Sequence, residues 1–386
     1  MRPALRGGLV GDADEWLRVR DYLQRHRHEL SASAASRYPA AHWAEGTALL
    51  TTPSWLPAAP LPLGAVALDW ADSDGTARDR DAAAWDAAVA AVLPRRADGS
   101  RYRRFSAAVA DLAPPAIWQD RRTYRLTGAD LAGPRPALAF EPGTFFQGVD
   151  IGGALGHEHA AAVMGLLPRE DLRALVGTPW ELARRPATVA ISTLTLRAGG
   201  GAATFPLHWR EPARVSHAGG LYQVVPAGIF QGVDDGPASQ AHDFDLWRCM
   251  TREFAEELLG ASEDYGPAGT LVDYGAWPFA RQLDQARAGG SVRPWVLGLG
   301  IDPLTLATDL LTAVVIDAPV FDELFGAMVD RNAEGKILPG QPFTAELIDR
   351  LTTREPVQAA GAALLRLAWR HRDVLLGPGG RQADPA

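Results

Sequence analysis

The triplet Gly199-Gly200-Gly201 separates a β-rich stretch, Thr188 to Arg197, from an alternating one, Thr204 to Arg210. Alternation at period two sends successive side chains to opposite sheet faces, and the glycines supply a tight reversal, so this segment reads as a β-hairpin. Leu221 to Val225 reads as a further strand, Asp243 to Leu259 as a helix, Pro294 to Ile301 and Leu311 to Asp317 as strands, and Val320 to Val329 as a helix. Strands interleaved with helices in that order imply an α+β or α/β sandwich.

With 386 residues, the chain is longer than one hydrophobic core of about 250 to 300 residues usually sustains. Before the hairpin, residues 13–35 carry Trp16, Val19, Tyr22, Leu23 and Leu30 at helical spacing. Pro53 to Pro62 breaks that pattern; Leu63 to Trp70 then reads as a strand and Asp81 to Leu93 as an Ala-rich helix. Thr123 to Leu126 and Ala137 to Phe140 are strand candidates, and about Gly153 to Leu167 a helix. The texture changes near Pro186. Four segments follow: residues 1–186 as an N-terminal α/β domain of unknown role, 187–330 as the sandwich, 331–376 as a helical C-terminal extension, and 377–386 as a loose tail. The pentapeptide Phe-Gln-Gly-Val-Asp occurs at Phe146 to Asp150 and again at Phe230 to Asp234, but its flanks differ, which points to chance repetition.

A net charge of -8 and the absence of any long basic run argue against nucleic acid as a partner. Cys249 is the only cysteine, so an intrachain disulfide or a thiolate zinc cluster is ruled out, in keeping with a reducing compartment. No stretch approaches the 18 or so apolar residues of a membrane span, and a cytoplasmic location is the default expectation.

The segment from Asp243 carries the chemistry. Asp243 can cap a helix that Gly260 ends, with Trp247, Met250, Phe254 and Leu258 on one apolar stripe. Asp245, Glu253, Glu256 and Glu257 fall on another face. Carboxylates this close repel one another by a few tenths of a kcal/mol per pair on a bare helix, whereas a hard divalent cation would turn the repulsion into attraction. The spacing alone also fits a merely solvated acidic face.

Arg252-Glu253-Phe254-Ala255-Glu256-Glu257-Leu258-Leu259-Gly260 resembles the core of the Nudix box. Pro226-Ala227-Gly228 resembles the turn that opens the box in ADP-ribose and nucleotide-sugar pyrophosphatases, and the hairpin with His208 and Arg210 resembles the early strands of that fold. The resemblance spans about residues 187–330 and implies a Nudix-like α/β/α sandwich. It further implies hydrolysis of a nucleoside diphosphate linked to another moiety, with Mg2+ or Mn2+ held by Glu253, Glu256 and Glu257. The alternative is a catalytically silent nucleotide sensor on the same fold. Arg252 joins the catalytic set, while Gly228, Arg210 and Tyr222 are substrate-binding candidates. The partner expected is a nucleotide-type small molecule, with a homodimer left open.

Three departures accompany the resemblance. The interval from Gly228 to Arg252 is long, which a loop insertion at Gly232 to Gln240 would explain; Phe244 stands where the box has a glutamate; and Gly260 comes one residue late. Asp245, seven residues before Arg252, is the expected ion-pair substitute for that glutamate. Glu263, Asp264 and Asp273 are loop candidates for a general base. Trp277 and Phe279, like Tyr222, could stack on a base or belong to the core. His157-Glu158-His159 lacks the four-residue spacing of a helical metal pair, so a surface or capping role is expected.

Overall fold

The computed structural model describes residues 12–72, 82–115, 117–211, 219–263, 265–267, 269–332 and 335–377. The first part of the chain comprises α1 (Ala13–Arg25), α2 (Arg27–Ala35), β1 (Leu61–Pro62), β2 (Ala67–Trp70), α3 (Ala82–Ala91), α4 (Phe105–Leu112), β3 (Arg122–Asp130), β4 (Ala137–Thr144), α5 (Phe145–Val163) and α6 (Asp171–Val176). The hairpin is β5 (Val189–Gly199) and β6 (Ala202–Arg210), followed by β7 (Tyr222–Val224), β8 (Ala227–Ile229), α7 (Pro237–His242) and α8 (Leu246–Glu253). Then come α9 (Pro278–Ala288), β9 (Val292–Ile301), β10 (Thr308–Asp317), α10 (Ala318–Phe325), β11 (Gly335–Pro342), α11 (Ala345–Arg354), α12 (Ala359–Arg370) and α13 (Arg372–Leu376).

The main sheet runs β1-β9-β10-β5-β6-β11, with β7 added beside β6 and β8 beside β5. It is mixed: β10 is parallel to β5, and β9 antiparallel to β10. Both faces are covered, which the sequence of β10 registers directly. Leu310, Val314 and Ile316 join one apolar cluster, and Leu311, Ala313 and Val315 join the other. The second cluster is completed by α11 and α12. Burying each such side chain contributes about 1.5 to 3 kcal/mol, which favours an apolar run over a half-polar alternation in a central strand.

A smaller sheet, β2-β4-β3, belongs to the first half of the chain. It is tied to the main sheet by backbone bonds from Tyr124 to Phe230 (3.3 Å) and from Leu126 to Ala187 (2.9 Å). One apolar cluster runs through Trp16, Phe105, Tyr124 and Leu155 to Val189, Phe254 and Leu310, so residues on both sides of Pro186 share a core. No helix among the described residues is long and apolar enough to cross a membrane.

Several elements differ from the pattern-based expectation. The first helix breaks at His26, whose φ of -112° and ψ of 24° leave the helical region, and no Gly or Pro announces the break. The C-terminal extension is helical from Ala345, but it begins with β11, which pairs with β6 at the sheet edge. Its Pro339, Gly340 and Pro342 masked it as a strand, and these residues are tolerated because the strand is an edge. The two Phe-Gln-Gly-Val-Asp copies adopt different structures, one inside α5 and one following β8. Residues 378–386 of the expected tail, and Asp264, lie outside the described residues.

The His157 to His159 segment is buried, not on the surface. Glu158 does cap, accepting the N–H groups of Leu172 (2.7 Å) and Arg173 (2.9 Å) at the start of α6. His157 stacks on Trp16 at 5.2 Å, and neither ring nitrogen has a hydrogen-bond partner. Burial, with Arg20 adding to it, lowers its pKa from 6.5 to about 3. A depressed folded-state value means that the stabilising neutral form is retained above about pH 6.5 and is lost progressively as pH falls toward 3. His157→Phe is therefore expected to gain about 2 kcal/mol on the wild type between pH 7 and pH 5 in urea unfolding. An unchanged difference would show that this ring does not carry acid sensitivity.

Candidate functional site

The acidic helix begins two residues later than its sequence suggests. Asp245, not Asp243, is its N-cap, with the side chain accepting the N–H of Arg248 at 3.0 Å. Asp243 instead ends α7, so the expected insertion at Gly232 to Gln240 is partly helical. Trp247, Met250, Phe254 and Leu258 are all buried, as the apolar stripe requires. Past Glu253 the helix continues as a π turn over Phe254–Leu258 and stops at Gly260, whose φ of 67° is left-handed.

This helix forms one wall of a cavity of about 840 Å³. Among the described residues, seven arginines and five carboxylates line it, including Arg27, Arg121, Arg185, Arg210 and Arg252, and Glu253, Glu256, Glu257, Glu263 and Asp309. The volume suits a nucleotide-sized ligand, and so many guanidinium groups favour an anion. Ala227 and Gly228, expected as a turn, instead open strand β8 by pairing with Ser192 and Ile191 of β5, and they lie on the same wall.

The three glutamates divide two and one. Glu257 Oε1 accepts the N–H of Ala227 at 2.9 Å, and a Cβ added to Gly228 would lie 1.9 Å from Glu253 Cδ. Both carboxylates thus sit at the start of β8, and the missing side chain of Gly228 leaves the room that Glu253 occupies. Behind Glu257, the fully buried His208 places Nδ1 3.6 Å from Oε2. Burial first, then Arg210, holds that imidazole down to about 4, so it is neutral near pH 7.

Glu256 turns instead to the hydroxyl of Tyr265, which donates to it. Burial pushes the Glu256 carboxyl up to about 7, with Glu263 adding to the rise and the Tyr265 bond opposing it. Burial likewise raises Asp309 to about 7, against the hydrogen bond from Ser192 Oγ (2.9 Å) and with Asp302 adding to the rise. Among the described residues, no group of three or more His, Cys, Asp or Glu side chains is gathered so as to hold a metal ion unaided.

Arg252 is not paired with Asp245. Its guanidinium donates to Tyr274 Oη and to Gln231 O (2.7 Å) and lies 3.4 Å from Asp243 Oδ1. Burial works against the charge, but Cys249, Tyr274 and Asp243 more than offset it and hold the pKa above its ordinary value. The expectation fails because Asp245 is spent on capping, while Asp243, fully buried, faces the guanidinium from the end of α7.

Of the other residues singled out from sequence, Gly228, Arg210 and Glu263 line the cavity and Tyr222 does not. Tyr222 packs on Trp209 at 4.7 Å, and its neighbour Gln223 reaches the cavity instead, as period two demands. Trp277 packs among Tyr265, Tyr274 and Phe279, and Asp273 caps Ala276 at 2.9 Å. Arg20, Arg27, Arg121 and Arg185 carried no sequence signal, because they reach the cavity from segments far apart in the chain. No protein-family model matches the chain, and no curated protein matches it.

Proposed function

We propose that the protein is a Nudix-type pyrophosphohydrolase that cleaves a nucleoside diphosphate linked to another group, in the arginine-lined cavity. The observation that carries the reading is the placement of Glu253 and Glu257 together at Ala227 and Gly228 of β8. The order of hairpin, β8, acidic helix and parallel β5–β10 pair supports it, and the π turn accounts for a glycine that arrives one residue late.

The donor set fits Mg2+ or Mn2+ brought with the substrate, because Mg2+ needs only one or two carboxylates when phosphate oxygens and water complete its shell. Glu253 and Glu257 would hold it, with Glu256 close by. A cation there neutralises phosphoryl charge and lowers the pKa of a bound water. Arg27, Arg185 and Arg210 meet the diphosphate charge. Attack of water at phosphorus breaks one P–O bond of the diphosphate and yields a nucleoside monophosphate and the phosphorylated second half.

The engagement of Glu256 by Tyr265 favours a second reading, a protein of this fold that binds the nucleotide without cleaving it. One assay separates the two: incubation with ADP-ribose and nucleoside diphosphate sugars, with and without Mg2+, followed by chromatography of the products. Cation-dependent release of monophosphate is expected, and Glu253→Gln and Glu257→Gln should each lower it about 100-fold or more, the scale of a lost charge-stabilising group. Tight binding without release would establish the sensor, and neither binding nor release would overturn both.

A further inference from the structure

The cavity is not built by the acidic helix and its sheet alone. Phe105, Val109, Trp118, Phe145 and Val149, all from the first half of the chain, form an uncharged stretch of its lining. These rings are fixed in place. Trp118 Nε1 donates to Ser106 O at 3.1 Å, and Trp118 meets Phe145 edge-to-face with centroids 6.0 Å apart. The Phe145 N–H donates to Arg121 O at 2.8 Å. Trp118 and Phe145 nonetheless remain half-buried, unlike the core aromatics Phe140 and Phe230.

Arg121 locates this corner relative to the chemistry. Its guanidinium donates to Gly232 O at 3.2 Å and to Val233 O, next to Gln231, whose carbonyl accepts from Arg252 of the acidic helix at 2.7 Å. The aromatic corner therefore adjoins the acidic helix. Gly148, Gly152 and Gly153 of α5 also line the cavity, and their missing side chains let Thr188, Thr305 and Phe105 pack close against the helix. A Cβ at Gly153 would lie 2.5 Å from the Phe105 ring.

We propose that residues 1–186 supply the nucleobase subsite, with Trp118 and Phe145 as its aromatic wall and Arg121 at its edge. The inference rests on the nucleotide-diphosphate reading above and adds which part of the ligand the first half of the chain recognises. An uncharged, planar base suits rigid aromatic faces, and stacking of this kind tolerates any base because each presents a π face. Pinned rings lose little freedom when a ligand stacks on them.

The test is calorimetric titration of the full-length protein with ADP-ribose, ADP and inorganic pyrophosphate. Trp118→Ala and Phe145→Ala should each weaken ADP and ADP-ribose about 5- to 150-fold, the range measured for one base–aromatic stack, and leave pyrophosphate unchanged. Trp118→Phe should restore most of the affinity. Phe145→Leu keeps the bulk without the π face and should weaken nucleotides at least 5-fold even if the alanine variants fold poorly. Nucleotide affinity unchanged in Phe145→Leu and in Trp118→Ala would overturn the subsite and leave the hydrolase reading intact. A wild-type protein that neither binds nor cleaves any of these ligands would remove the reading on which the subsite rests.

Discussion

Arg252→Ala is expected to destabilise the protein by about 3 to 5 kcal/mol, the usual consequence of removing one partner of a buried ion pair. Asp243 is fully buried and accepts hydrogen bonds from Val233 N (3.0 Å), Ser239 Oγ (3.2 Å) and Tyr274 Oη (2.9 Å). Without the guanidinium those bonds remain, but the buried carboxylate loses the cation that faces it at 3.4 Å. Arg252→Lys should recover little, because one ammonium cannot span Tyr274, Gln231 and Asp243 as the planar fork does. Asp245→Asn provides the contrast: it alters only an N-cap that asparagine serves about as well, so a cost well under 1 kcal/mol is expected. Urea unfolding of the variants checks the assignment. A loss near 1 kcal/mol for Arg252→Ala, or a large loss for Asp245→Asn, would restore the pairing that the helix spacing suggested.

Gly228→Ala is expected to reduce turnover about 100-fold while changing stability by no more than about 1 kcal/mol. The added Cβ would lie 1.9 Å from both Cδ and Oε1 of Glu253, so the two cannot coexist. What yields is the far end of a flexible side chain, since the strand itself is held by pairing of Gly228 with Ile191. Glu253 is therefore displaced from β8 with the sheet intact. Turnover of the nucleotide panel, measured beside thermal unfolding, separates this from misfolding. Full activity in a stable Gly228→Ala protein would mean that Glu253 has no role beside β8, and Glu257 alone would keep its place there.

Periodicity made much of this architecture legible. The strands were readable from alternation in the hairpin and from short, mostly apolar runs in β9 and β10, and the stripe of Trp247, Met250, Phe254 and Leu258 because a helix repeats every 3.6 residues. Both signals are local, arising from residues within one element. The acidic residues and the closing Gly260 were readable for the same reason, whereas the expected Ala227-Gly228 turn is part of strand β8. Tyr222 shows how finely this can miss, since the residue that reaches the cavity is one position further along the strand.

Tertiary structure decided what depends on contacts between distant segments. Asp243 and Arg252 meet because α7 and α8 are separate helices, a break visible only once Asp245 is seen to cap the second. The π turn places Phe254 and Leu258 in the core shared with the first half of the chain, a partner no local pattern reveals. That first half has its own local patterns, but nothing in them shows that Arg27, Arg121, Arg185 and Trp118 face Glu253, Glu256 and Glu257 across one cavity. The sequence by itself determined most of the central strands and helices and which carboxylates lie close along a helix. Only the fold decided which of them meet at β8, which arginine is locked away, and that residues on both sides of Pro186 build one site, because long-range pairing leaves no periodic trace in the chain.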